Sequence, residues 1–160
     1  MKNLKELKRK YEELGKEIER LEKNKGRWRA EDKEYYYKVG DCGEVEYISE
    51  DLHDFDEFRY KTRNYFKTEE EAQTYLDNIK TYYELMDLAE ELNGDEKIDW
   101  KDVNQIKYCI VYKNNEDRFF QYFYCVDNRI GNIYCLDKHF LEKAKERIGE
   151  ERLIKLFRGE

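Results

Sequence analysis

The N-terminal residues show the most regular spacing of apolar positions in the chain. From Leu4 to Trp28, a seam residue recurs alternately three and four positions along. This heptad pattern is typical of a coiled-coil helix. It predicts a coiled-coil helix at about residues 2–26 of an N-terminal segment 1–28. Its dimerisation seam would consist of Leu4, Leu7, Tyr11, Leu14, Ile18 and Leu21.

A narrow apolar stripe on one helix needs a partner, because such a helix is only marginally stable alone in water. The partner is either the rest of the same chain or a second copy of it. In a parallel pair Glu17 would lie near Glu22 of the other copy, whereas an antiparallel pair would bring Lys10 close to Glu17. The charges therefore favour an antiparallel homodimer.

Beyond Gly26 the pattern changes to alternating strands joined by short turns. "EYYYKV" (34–39), the turn "GDCG" (40–43) and "EVEYIS" (44–49) predict one β-hairpin. Residues 106–113 and 118–126 predict a second one. Its apolar pattern favours the register that places Tyr108 opposite Tyr124.

A strand-to-helix junction occurs twice, at an offset of 69 residues: "NYFKTEEEAQ" begins at Asn64, and "IYCLDKHFLEKA" begins at Ile133. Thr68 with Glu71 predicts a capping box, and Asp137 is the predicted N-cap of the second helix. Residues 29–160 are thus expected to form an α+β domain of two similar halves, about 34–93 and 105–158. We expect an antiparallel sheet of about six strands with packed helices.

The composition supports a folded chain. Charged residues make up 43% and aromatic residues 16%, and disordered chains are poor in aromatics. With no predicted membrane span or signal peptide, we expect the protein in the cytoplasm of its host cell. Residues 1–30 hold 11 Lys and Arg against 6 Asp and Glu, and the remaining residues hold 20 against 32. A basic arm therefore precedes an acidic body.

The motifs of known catalytic sites are missing from the sequence. It contains no Walker or dinucleotide glycine pattern, no GxSxG, and no cysteine and histidine spacing typical of zinc. Cys109, Cys125 and Cys135 lie in strand-like runs, which predicts reduced, buried side chains. We therefore expect a protein that is not an enzyme, with no metal and no cofactor.

Two stretches are candidates for binding. The acidic loop predicted at residues 49–58 mixes carboxylates with aromatic anchors, which suits a basic protein surface. Its candidate partner-binding residues are Asp51, Asp54, Phe55, Asp56, Glu57 and Phe58. The second stretch is basic with one aromatic ring, which suits nucleic acid. Its candidate residues are Lys23, Lys25, Arg27, Trp28 and Arg29.

The layout resembles small accessory proteins of phages and prophages of Firmicutes-type bacteria. The resemblance spans almost the whole chain and includes "YYY" (35–37), "NYFKTEEEAQ" (64–73), the aromatic strand region 99–112 and "IGEERL" (148–153). It implies a viral protein, a class in which small acidic folds often inhibit host defence, as anti-CRISPR proteins do. We therefore expect a phage-encoded inhibitor that binds a bacterial defence protein, with a CRISPR nuclease as the leading candidate. The alternative is a nucleic-acid-binding accessory protein that uses the basic arm.

Overall fold

The computed structural model describes residues 2–23, 26–125, 128–129 and 131–160. In this part of the chain the elements are α1 (Lys2–Lys23), β1 (Tyr35–Val39), β2 (Val45–Ser49), α2 (Asp54–Lys61), α3 (Glu69–Asn93), β3 (Lys107–Lys113), β4 (Arg118–Tyr124), β5 (Tyr134–Cys135), α4 (Phe140–Ile148) and α5 (Glu150–Arg158). The α+β class is confirmed. The chain divides into two compact units, Met1–Ala72 and Gln73–Glu160, so the boundary lies within α3. Over the described residues, no helix has both the length and the apolar character needed to cross a bilayer.

The first unit is built around a cluster of tyrosines on one face of the β1–β2 hairpin. The two strands pair antiparallel, with Tyr36 opposite Ile48, and successive side chains point to opposite faces. Tyr36 is fully buried, and its ring stacks on that of Tyr65 with centroids 3.8 Å apart. Tyr60 meets Tyr65 edge-on at 5.4 Å. Together with Ala30, these rings form the core of the unit.

The second unit contains a three-stranded antiparallel sheet in the order β4-β3-β5. Helices α4 and α5 lie against β3. The core that joins these elements to the second part of α3 consists of Leu85, Leu88, Ala89, Ile110, Tyr112, Phe119, Cys135, Phe140, Ala144, Ile148 and Leu153. Cys109 and Cys135 are buried, as predicted, whereas Cys125 is only half-buried.

The prediction of a sheet of about six strands is wrong. The described residues form two sheets, of two and three strands. The strand expected before α3 is reduced to a single bridge, in which Phe66 lies opposite Tyr37 of β1. The corresponding strand in the second unit, β5, pairs with β3. In both units the short segment before the helix thus pairs antiparallel with the first strand of its own hairpin, so the repeated order has a counterpart in the strand pairing.

The predicted register of the second hairpin is wrong by one residue. Tyr124 lies opposite Lys107, and Tyr108 lies opposite Phe123. Lys113 pairs with Arg118, so the turn holds residues 114–117, and the length of a hairpin turn fixes its register. In this register Lys107 is fully buried. Its ammonium group donates to the carbonyl oxygens of Asp102 at 3.0 Å and Cys125 at 2.7 Å. Hydrogen bonds of this kind make a buried lysine tolerable, and a pattern based on apolar residues does not detect them.

The predicted capping box at the start of α3 is confirmed. The backbone N–H of Glu71 donates to the Thr68 hydroxyl at 3.2 Å, and the Glu71 carboxylate accepts from the Thr68 N–H at 3.4 Å. The predicted N-cap role of Asp137 is wrong, because the residue at the N-cap of α4 is His139. Asp137 instead accepts a hydrogen bond from the His139 N–H at 2.7 Å.

Helix α1 is confirmed over Lys2–Lys23, and residues 24–25 of the predicted helix lie outside the described residues. The side chains of its seam are open to solvent. The exposed fractions range from 52% at Ile18 to 81% at Tyr11, with Leu4, Leu7 and Leu14 in between. The side chain of Leu21 lies outside the described residues. The coiled-coil pairing of this helix stays a prediction.

Candidate protein-binding surface

The acidic segment predicted as a loop contains helix α2. The helix begins at Asp54, after His53 at the N-cap. The carboxylate of Asp56 accepts the backbone N–H of His53 at 3.1 Å and that of Asp51 at 3.2 Å. It therefore satisfies the His53 N–H, one of the donors that the start of a helix leaves without an intrahelical partner. The prediction of a loop over residues 49–58 is therefore wrong from Asp54 onward.

Asp56 is an interior residue of the first unit. Its side chain is buried and accepts hydrogen bonds from the Tyr36 hydroxyl at 2.7 Å and from Arg59 at 3.2 Å. Burial alone would raise the pKa of Asp56, but the hydrogen bonds from Tyr36 and the two backbone N–H groups, together with the charge of Arg59, hold it below its usual value. This carboxylate joins α2 to the hairpin and is not a surface contact.

A second buried network is centred on Arg29. Its guanidinium group donates to Glu50 at 3.0 Å and to Glu57 at 2.5 Å. Glu50 is fully buried and also accepts a hydrogen bond from the Tyr65 hydroxyl at 2.6 Å. Burial alone would lower the pKa of Arg29, but the hydrogen bonds and charges of Glu50 and Glu57 raise it. The predicted nucleic-acid contact at Arg29 is thus a buried ion pair.

The structure also shows the contacts of Arg27 and Trp28, two further residues of the basic stretch. The Arg27 guanidinium lies over the Tyr60 ring, 3.4 Å from its centroid, and donates to the Tyr60 carbonyl. Trp28 packs against Tyr65 with ring centroids 5.9 Å apart and is 36% exposed. Lys25 and the side chain of Lys23 lie outside the described residues. Arg27 and Arg29 therefore stabilise the fold of the first unit and do not form an open phosphate site.

Three of the candidate partner-binding residues that stay open to solvent lie on one face of α2, whereas Asp51, also exposed, precedes the helix. Phe55 is 66% exposed and Phe58 is 65% exposed. Residues three and four positions apart are neighbours on a helix surface, so Asp54, also exposed, lies beside Phe58. We call Asp54, Phe55 and Phe58 the α2 patch. Two exposed aromatic rings one turn apart form an apolar patch that suits contact with a protein partner.

The other two predicted acidic contacts have partners inside the chain. The Asp51 carboxylate accepts from the Lys33 ammonium at 2.9 Å, which lowers the pKa of Asp51. Glu57 pairs with Arg29 and, at 3.1 Å, with Lys61. The structure therefore divides the predicted site into the exposed α2 patch, the carboxylates of Asp56 and Glu57 that hold the first unit together, and Asp51, whose exposed ion pair contributes little stability.

The sequence pattern did not reveal the role of Glu50 or the inward position of Tyr36. A period-2 pattern in "EYYYKV" places Tyr36 on the face opposite Tyr35 and Tyr37, but it does not say which face is buried. On the outer face, Tyr35 stacks on Tyr47 with centroids 4.5 Å apart. Glu50 carries no signal of its own, since it follows a strand and precedes an acidic run.

No group of three or more His, Cys, Asp or Glu side chains among the described residues is placed to hold a metal ion. No family model matches the chain, and neither the curated proteins nor the solved structures contain a significant match.

Proposed function

We propose that this chain is a non-enzymatic, phage-encoded inhibitor that binds a protein of a bacterial defence system in the host cytoplasm, with a CRISPR nuclease as the first candidate. The observation that carries the binding role is the α2 patch. Aromatic side chains supply much of the energy of protein interfaces when a partner covers them. Phe55 and Phe58 are available for this in the free chain.

The charge of the chain supports a basic partner surface. The sequence after residue 30 holds 32 Asp and Glu against 20 Lys and Arg. This excess of negative charge repels phosphate backbones, and it attracts basic proteins over distances beyond direct contact. Nucleases expose basic surfaces to bind nucleic acid, so an acidic chain with an aromatic anchor suits the inhibition of such a protein. The viral origin and the defence target depend on the sequence resemblance alone.

Variants of the α2 patch test the proposal directly. Purified chain would be measured for binding to a panel of CRISPR nucleases, together with the variants Phe55→Ala and Phe58→Ala. We expect each substitution to weaken binding by about tenfold or more, because the anchors of an interface dominate its affinity. Phe123→Ala is the matched control, since Phe123 is 67% exposed but belongs to β4.

Two results would contradict the proposal. One is unchanged binding by both α2 variants, which would remove the α2 patch as the site. The other is the lack of binding to any nuclease of the panel combined with salt-sensitive binding to bare DNA or RNA, which would favour the alternative of a nucleic-acid-binding accessory protein. Arg27→Ala and Arg29→Ala do not suit this comparison, because both side chains support the fold.

A further inference from the structure

Helix α1 exposes an apolar stripe that needs cover. Five of its seam residues are more than half exposed: Leu4, Leu7, Tyr11, Leu14 and Ile18. An isolated helix with a narrow apolar stripe is marginal in water, and helices in proteins gain most of their stability by packing that stripe against a partner. The heptad spacing of the stripe specifies another helix as that partner.

Gly15 leaves space on α1 for a side chain of the partner helix. It lies near the middle of α1, where glycine is the least favourable residue after proline. A Cβ atom built on Gly15 would have no neighbouring atom within 4 Å. No close approach within the described chain therefore accounts for a glycine here. A side chain from another molecule, packed beside position 15, would account for it.

We propose that α1 pairs antiparallel with α1 of a second copy of this chain, and that Tyr11 of each copy packs into the space beside Gly15 of the other. In this register Leu4 lies opposite Leu21, Leu7 opposite Ile18, and Tyr11 opposite Leu14. Every layer is then filled by the same apolar stripe, as a two-fold symmetric dimer requires. The inference goes beyond the proposed function and does not depend on it.

The charges of α1 specify the second copy and the direction of pairing. Lys10 and Glu17 occupy equivalent flanking positions of successive heptads. In the antiparallel register Lys10 of each copy lies near Glu17 of the other, so two attractive contacts form by symmetry. A parallel pair would instead bring Glu17 near Glu22 and place Tyr11 opposite Tyr11. The antiparallel register thus joins opposite charges where the parallel register joins like charges.

Charge reversal in the full-length chain tests the pairing. Sedimentation equilibrium up to high micromolar concentration should show a monomer–dimer equilibrium. Lys10→Glu should raise the dissociation constant roughly tenfold, because it turns two attractions into repulsions. Lys16→Glu is the matched control with the same change in net charge, and it should have little effect, since position 16 faces away from the seam. Mixing the Lys10→Glu chain with the Glu17→Lys chain should restore dimers of wild-type strength. Each of these dimers would contain one chain of each variant.

Gly15→Gln distinguishes a dimer contact from a simple effect on the helix. Glutamine favours the helix more than glycine does, so circular dichroism should show equal or greater helicity. The dimer should nevertheless weaken, because the new side chain occupies the space of Tyr11 from the other copy. The proposal is overturned if the wild-type chain is monomeric throughout. It is also overturned if Lys10→Glu behaves like Lys16→Glu, or if Gly15→Gln strengthens the dimer.

Discussion

Glu50 and Lys107 are charged residues with no exposed surface, one in each unit, and each is held by several hydrogen bonds. Glu50 accepts from Arg29 and Tyr65, and Lys107 donates to two backbone carbonyls. A buried charge without partners is strongly destabilising. The stability of both units is therefore sensitive to these single residues, although neither lies at the proposed binding surface.

Replacing Glu50 tests this sensitivity. We expect Glu50→Gln to lower the free energy of unfolding by about 3 kcal/mol or more, because it leaves the buried Arg29 charge without its principal partner. The measurement is urea-induced unfolding at neutral pH. Glu57→Gln is the matched control. The side chain of Glu57 is 40% exposed, so we expect a loss of about 1 kcal/mol or less. Equal losses in the two variants would contradict the role assigned to Glu50.

The start of α3 depends on short-range interactions, whereas the pairing of β3 and β4 joins residues further apart in the chain. The capping box of Thr68 and Glu71 joins residues three positions apart, which explains why it was predicted from the sequence. The register of β3 and β4 places Lys107 inside, where its ammonium group donates to the carbonyl of Cys125, 18 residues away in the sequence. The local element was therefore predicted correctly and the pairing was not.

The cap of α3 gives a prediction about one element. Thr68→Ala removes the hydroxyl that accepts the Glu71 N–H, and we expect a loss of about 1 kcal/mol in the free energy of unfolding. Thr74→Ala is the same substitution inside α3, where alanine favours the helix, so we expect no loss from the helix itself. Thermal unfolding followed by circular dichroism compares the two. A loss at position 74 equal to that at position 68 would mean that the cap contributes nothing specific.

At the scale of the whole molecule, the proposed pairing of α1 and the folding of the first unit involve different residues. The described seam residues of α1 are mainly exposed, whereas Arg27 and Trp28 contact the tyrosines of the first unit. The segment that we propose to serve only association therefore ends before Arg27, and Arg27 and Trp28 serve the fold of the first unit.

Deleting residues 1–25 should remove the dimer and leave the fold. We expect the shortened chain to be a monomer with an unfolding midpoint in urea close to that of full-length monomer, and with the α2 patch still able to bind. Light scattering after size exclusion measures the mass, and urea unfolding at low protein concentration measures the stability. Deletion of residues 1–28 is the comparison, and it should destabilise the first unit because it removes Arg27 and Trp28. Unfolding of the chain that lacks only residues 1–25 would contradict this division.

The amino-acid sequence by itself determined the α+β class, helix α1, the two hairpins and the capped start of α3. These features depend on side-chain periodicity and on contacts between residues close in the chain. It also located the acidic-aromatic segment that contains Phe55 and Phe58. It did not determine which of the neighbouring carboxylates are exposed and which are buried.

Only the tertiary structure decided that Asp56 and Arg29 lie inside the first unit while Phe55 and Phe58 lie outside. Their residue types alone predict the opposite, since charged side chains are usually exposed and phenylalanine is usually buried. The difference arises because Tyr36, Glu50 and Tyr65, which are distant from α2 or from Arg29 in the sequence, supply the hydrogen bonds that make buried charges stable. Such partners come together only when the chain folds, and the rings of Phe55 and Phe58 on α2 then face the solvent.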